Sequence, residues 1–261
     1  LKILDCHNVK STYESVEQIT AVSKSKIKDF FEKVGNLELY YIDHPHCSKS
    51  GDEVLFELFQ KQHNPELVYD AVYWFHLSRT RSSETFKEGI KPLGLILEEI
   101  WSFLYSLIEV DFSEREWLNF KNDIITKHAG NGSFLYNLKT TDEFHWGPYA
   151  MLVHEIAYCC SNDLKNHDYL EIPEVVADIC NTFEDVHGRN LRELFLNSTS
   201  SYVIKFISHE SDIAYLKSAL YYLYKKYFNE ALNGANNASF DAKGRVILPD
   251  SIVDVIKVDF K

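Results

Sequence analysis

Two stretches of this chain read as β-strands, and they stand far apart with helical sequence between them. Residues 69–78 (YDAVYWFHLS) are dense in aromatic and β-branched side chains, and residues 201–207 (SYVIKFI) alternate like a strand. Between them Leu93, Leu97, Ile100, Trp101, Leu104, Leu107 and Ile108 recur at helical spacing. Any sheet built from these strands must form across a mainly helical stretch. Regular βαβ winding is excluded, and the pattern predicts an α+β fold with mixed small sheets.

The remaining elements follow from local signals. Residues 1–35 read as a polar lead-in with a helix over 22–34, residues 37–42 (LELYYI) as a strand, and EVLFELF as a short helix ending before Asn64-Pro65. After the first long strand, SSETFKEG predicts a short helix capped by Ser82 or Ser83 and stopped by Gly89. Ser113 and Glu116 form a capping-box pattern at the head of a helix over 113–127. Residues 128–147 read as loop with possible short strands. GPYAMLVHEIAYCC reads as a helix from Pro148 with Tyr149, Leu152, Val153, Ile156, Ala157 and Cys160 in one stripe. IPEVVADICNTFEDV repeats that design from Pro173. A long helix over 212–232, a flexible polar loop NGANNAS, and two short strands, GRVILP and IVDVIKVDF, close the chain.

Composition narrows the function classes. Hydrophobic residues make up 45 % of 261, enough for a sizeable core, and one elaborated domain over 1–261 is expected. Lys and Arg number 27 against 39 Asp and Glu, a formal charge of −12. Such a surface argues against a broad nucleic-acid footprint but allows a local basic pocket for a small nucleotide. The cysteines Cys6, Cys47, Cys159, Cys160 and Cys180 are odd in number and include no C-x-x-C, which points to a reducing, cytoplasmic setting. No basic stretch followed by an apolar core opens the chain, so no signal peptide is expected. The greasy run LGLILEEIWSFLYSLIEV is broken by Glu98 and Glu99 and reads as a buried helix rather than a membrane span. G-x-G-x-x-G, Walker A, H-E-x-x-H and G-x-S-x-G are all absent. His44, His46 and Cys47 in HPHC are too tightly spaced for a usual zinc site, and His145, His154 and His167 would need the fold to converge.

The chemistry-bearing stretch is YWFHLSRTRSSETFKEGIKPLG. His76 ends the aromatic run, and strand alternation puts it on the face of Trp74. Where the strand ends, the Leu77 backbone can offer both amide and carbonyl to a planar amide ligand. Ser78, Arg79, Thr80 and Arg81 supply hydroxyl and guanidinium donors that suit ribose and diphosphate. The plainer alternative is a hydrogen-bonded histidine followed by a solvated turn.

The order His76-x-Ser78-Arg79, Phe86, Gly89-Ile90 and Pro92 resembles the first strand and following helix of the ADP-ribosyltransferase superfamily, which often reads H-x-[ST], a short gap, then x-x-G-[LI]. The match covers about twenty residues of the chain, and GRVILPDSIVDVIKV resembles the closing strand pair of such folds. The resemblance implies that NAD is a substrate. It implies that His76 contacts a ribose, that the Leu77 backbone clamps the nicotinamide amide, and that Ser78, Arg79 and Thr80 contact ribose or diphosphate. It also implies a stacking aromatic, for which Tyr149 and Tyr136 are candidates, and a carboxylate to stabilise the ribosyl cation. Glu230, which precedes the closing strands, and Glu155, in VHEIA, are the candidates for that carboxylate. Residues 69–92 and 201–261 would then be core strands, 1–68 an N-terminal appendage, and 93–200 a helical insertion. An intracellular toxin or phage-defence effector acting on a protein or nucleic acid, with a protein partner or antitoxin, is what the family's habits imply. The alternatives are a catalytically silent interaction protein of the same fold and a metal-dependent nuclease.

Overall fold

The computed structural model of the chain describes residues 1–158 and 169–259; Cys159, Cys160 and His167 lie outside them. In chain order β1 (Ile3–Leu4) leads into α1 (Val9–Thr20), α2 (Lys24–Val34), α3 (Leu37–Asp43) and α4 (Gly51–His63). Then come β2 (Ala71–Thr80), α5 (Leu93–Ser106), α6 (Glu114–Ile125), α7 (Gly130–Thr140) and β3 (Tyr149–Met151). The chain ends with α8 (Glu174–His187), α9 (Leu191–Asn197), β4 (Ser200–Ser208), α10 (Ile213–Tyr227), β5 (Ser239–Asp241) and β6 (Ile252–Val258). The fold is α+β. The sheet runs β5-β3-β2-β4-β6, with β1 added in parallel beside the start of β2 through Ile3↔Ala71 and Leu4↔Val72. No described helix is long and apolar enough to cross a membrane.

The chain divides into two compact units. The first holds Leu1–Phe75, the described part of Ala150–Asn166, and Phe206–Phe240; the second holds His76–Tyr149 and the described parts of His167–Lys205 and Asp241–Lys261.

The first unit is organised around α10, which packs on α4, α1 and α2. Phe30, Phe31, Phe56, Phe59, Tyr222 and Tyr224 are all buried there. Two buried phenol hydroxyls of this unit, those of Tyr224 and Tyr69, are satisfied. The Tyr224 hydroxyl donates to the Gly35 carbonyl at 2.7 Å and accepts from the Leu37 amide at 3.1 Å. The Tyr69 hydroxyl accepts from the Asp212 amide at the head of α10. Burying a phenol without such partners would cost roughly 1–3 kcal/mol.

The core of the second unit is an aromatic cluster of Trp101, Trp117, Phe120, Tyr136, Phe183 and Phe195 on α5 to α9. Trp101 and Trp117 meet edge to face at 5.2 Å, and Trp101 Nε1 donates to the Tyr136 hydroxyl at 3.0 Å. Tyr136 is therefore a core group, 4 % exposed, rather than an open stacking face. Cys180 lies in the same cluster, and burial pushes its thiol up to about 12. The thiolate is the reactive form, so Cys180 is expected to resist alkylation at pH 8 in the native protein and to react once urea unfolds it. Peptide mapping after iodoacetamide checks this; rapid native labelling of Cys180 would contradict its placement in the cluster.

Several sequence expectations are overturned. Residues 37–42 form helix α3 and not a strand, because the Asn36 side chain caps it by accepting from the Glu38 amide. Residues 128–147 contain helix α7, where Gly132 lets α7 lie against Thr182 of α8; a Cβ there would sit 1.7 Å from Thr182 Oγ1. The stripe from Pro148 is not a helix: Tyr149–Met151 is strand β3, paired antiparallel to β2 through Met151↔Phe75. Strand pairing outweighs the local helical period here. The lead-in holds β1 and α1, the latter capped by an Asn8–Ser11 box, besides the expected second helix. NGANNAS is a 3₁₀ turn at Gly234–Asn236 in which Asn233 and Asn236 cap each other, and Asn236 is fully buried.

Candidate functional site

His76 to Thr80 form the C-terminal half of β2 and belong to the second unit. Alternation along the strand places His76, Ser78 and Thr80 on one face and Leu77 and Arg79 on the other, all half-buried. His76 Nδ1 lies 2.7 Å from the carbonyl oxygen of Tyr149. A carbonyl only accepts, so Nδ1 carries the proton and a neutral imidazole presents Nε2 as an acceptor. Burial holds His76 below the ordinary histidine value, partly offset by that hydrogen bond, so the ring is uncharged at neutral pH.

Tyr149 is brought to the same place. The residue is 45 % exposed, and its hydroxyl donates to the Phe144 carbonyl at 3.1 Å. Partial burial, with the carboxylates of Asp241 and Glu174, raises the phenol above its usual range. The sequence puts His76 and Tyr149 73 positions apart; the fold joins them through one hydrogen bond.

Arg79 is committed elsewhere. Its Nε donates to Thr199 Oγ1 at 2.7 Å, Nη1 to Ser201 Oγ at 2.9 Å and the Leu170 carbonyl at 3.3 Å, and Nη2 to the carbonyls of Leu196 at 2.7 Å and Thr199 at 3.2 Å. A guanidinium has five N–H donors, and these five acceptors match them. Arg79 ties the end of α9 and the start of β4 to β2. Its acceptors are mostly backbone carbonyls, and no side-chain pattern in the sequence marks them.

Downstream, Thr80 Oγ1 meets Thr85 Oγ1 at 3.1 Å, and Ser82 caps the 3₁₀ segment Ser83–Glu88 by accepting from the Glu84 amide. Gly89 ends that segment at φ 92°, and Ile90 pairs antiparallel with Ile247. The expected turn out of the helix at Gly89-Ile90 is thus present, closed against the GRVILP stretch.

The two candidate carboxylates lie in the first unit. Glu155, on the 3₁₀ segment His154–Tyr158, accepts from Lys226 Nζ at 2.7 Å and from the Tyr222 hydroxyl at 2.9 Å. Glu230, just beyond α10, accepts from Lys225 Nζ at 2.5 Å. Both carboxylates are neutralised by a lysine from the same helix.

Among the described residues no group of three or more His, Cys, Asp and Glu side chains is placed to hold a metal ion. His44 stacks on Tyr40 at 4.1 Å and bonds the Tyr40 carbonyl through Nδ1, and His154 stacks on His7 at 4.6 Å. No family model, curated protein or solved structure matches this chain.

Proposed function

We propose that this chain is an ADP-ribosyltransferase-like enzyme that consumes NAD, with the nicotinamide riboside end bound on the C-terminal half of β2. The observation that carries the reading is the hydrogen bond from His76 Nδ1 to the backbone carbonyl of Tyr149, which brings the residue the resemblance puts on the ribose beside one of the two candidates for the stacking aromatic. In this reading the neutral His76 accepts a ribose hydroxyl at Nε2, and the Leu77 backbone takes the nicotinamide amide. Ser78 and Thr80 contact the sugar from the same strand face, and the Tyr149 ring offers the flat surface. Arg79 holds the strand in place instead of touching the ligand. The bond between ribose and nicotinamide breaks, its electron pair leaves with nicotinamide, and the acceptor nucleophile bonds to the ribose carbon and releases its proton to solvent. The resemblance also calls for a carboxylate that stabilises the cation, the role for which Glu155 and Glu230 are the sequence candidates. The acceptor is a protein or nucleic acid, and the setting a cytoplasmic toxin or antiviral-defence effector restrained by a protein partner.

Purified protein incubated with NAD, with and without cell extract, is expected to release nicotinamide. His76→Ala is expected to lower the rate by about 100-fold. Activity should also fall as pH drops through the lowered His76 pKa, because protonation turns Nε2 from acceptor to donor. No release together with no NAD binding by calorimetry overturns the reading. A second reading, an interaction protein without turnover, draws on the exposed Phe134, Leu138 and Phe144, at 57 %, 55 % and 76 %. NAD binding without nicotinamide release would select it.

A further inference from the structure

Two arginines leave the end of β2, and they have opposite fates. Arg79 spends every donor inside the second unit, whereas Arg81 is exposed, and among the described residues no carboxylate lies within ion-pair distance of it. Its guanidinium carbon sits 4.5 Å from the centroid of the Phe103 ring. That stacking covers one face of the guanidinium and leaves its N–H edge available for a two-point acceptor. Arg81 and Phe103 line an open cleft of about 450 Å³ with Glu98, Glu99, Ser102 and Ser106.

The two glutamates differ in the same way. Glu98 is held by Lys121 Nζ at 2.7 and 2.6 Å. Among the described residues Glu99 is paired only with Lys91, at 3.9 Å, and that lysine is bound more closely by Glu88 at 2.7 Å. The cleft therefore presents one unspent cation and one largely unspent carboxylate that do not pair with each other. The Ser106 hydroxyl donates to the Phe103 carbonyl, so its remaining role toward a ligand is to accept.

From this arrangement we infer that the cleft binds a small zwitterion of the α-amino-acid type, with its carboxylate on Arg81 and its ammonium on Glu99. A phosphate dianion suits it poorly, because two carboxylates share the wall with the single guanidinium. A free amino acid carries one charge of each sign, matching the two unspent groups of the cleft, and the Phe103 ring gives its side chain an apolar contact. The inference does not rest on NAD use: the sequence pattern offers Arg81 as a diphosphate donor, but the proposed NAD site gives no role to any residue of this cleft.

The test is titration of the full chain with L-phenylalanine, followed by calorimetry and ligand-observed NMR. Binding with Kd of about 1 mM or tighter is expected, weakened roughly tenfold or more in N-acetyl-L-phenylalanine, in the methyl ester, and in each of Arg81→Gln and Glu99→Gln. Both substituted residues are exposed, and circular dichroism checks that the variants fold. No saturation by about 20 mM overturns the inference, as does unchanged binding in both variants or tighter binding of inorganic phosphate than of the amino acid.

Discussion

Arg79→Ala is expected to destabilise the second unit by about 3–5 kcal/mol, the largest effect of any single polar replacement in it. The deletion removes the guanidinium donor from five acceptors: the carbonyls of Leu170, Leu196 and Thr199 and the hydroxyls of Thr199 and Ser201. The Leu170 carbonyl keeps a donor, because Ser201 Oγ also donates to it at 2.5 Å. The carbonyls of Leu196 and Thr199 have no such substitute from this network. Arg79→Lys keeps the charge but offers three donors at one point, which cannot span acceptors spread over α9, the start of β4 and Leu170. It is expected to recover less than half of the loss. Urea denaturation followed by tryptophan fluorescence reads the effect, with Trp101 and Trp117 reporting from the cluster of this unit. An alanine variant within about 1 kcal/mol of the parent would mean that the clamp is not what fixes the strand end. If Arg79→Lys were instead fully stable yet lost NAD affinity, Arg79 would be a ligand contact after all.

Which parts of this structure can be read from the sequence depends on the range of the forces involved. The helix from Leu93 is legible because its apolar side chains alone set the period. The Ser113–Glu116 box is legible because both its hydrogen bonds close within four residues, at 3.0 Å to the Ser113 amide and 3.3 Å from the Glu116 amide. Helix α7 is not legible. Gly130, Asn131 and Gly132 look like loop, but Gly132 is small because Thr182 lies against it, and that fact belongs to the packed state. YAMLVHEIA carries a helical stripe that favours a helix at Tyr149, yet pairing to β2 decides the conformation there. The candidate site shows the same division. The strand, its histidine and the Gly89-Ile90 turn are local and stand out as elements in the sequence. The contact of His76 with the Tyr149 carbonyl spans the chain and involves a backbone oxygen, so nothing in the side-chain order announces it. The fate of the two arginines is equally hidden, since S-R-T-R gives no sign of which one turns inward.

Gly89→Ala is expected to cost about 3 kcal/mol or more, from two causes that can be separated. The first is conformational. Gly89 sits at φ 92°, ψ −171°, a region that an L side chain enters only at about 1–3 kcal/mol. The second is steric. An added Cβ would lie 2.2 Å from the Ile247 carbonyl oxygen and 3.3 Å from Pro249 Cδ. That oxygen cannot swing aside as a side chain would. It accepts from the Ile90 amide at 2.9 Å, while the Ile247 amide returns a bond to Ile90 at 3.0 Å. Relieving the clash therefore means breaking the only bridge that the Gly89-Ile90 turn makes to the Ile247 stretch among the described residues. Gly188, the C-cap of α8, supplies the comparison within the same unit. It lies at φ 66°, ψ 23°, with nothing within 4 Å of the place an added methyl group would occupy. Gly188→Ala should then show conformational strain alone, about 1 kcal/mol. Urea denaturation gives the two totals, and hydrogen exchange at the Ile90 and Ile247 amides tells whether the bridge has opened. A Gly89→Ala variant no less stable than Gly188→Ala, with both amides still protected, would mean that the turn relaxes without cost and that glycine is not required where the chain leaves the strand-and-helix segment for α5.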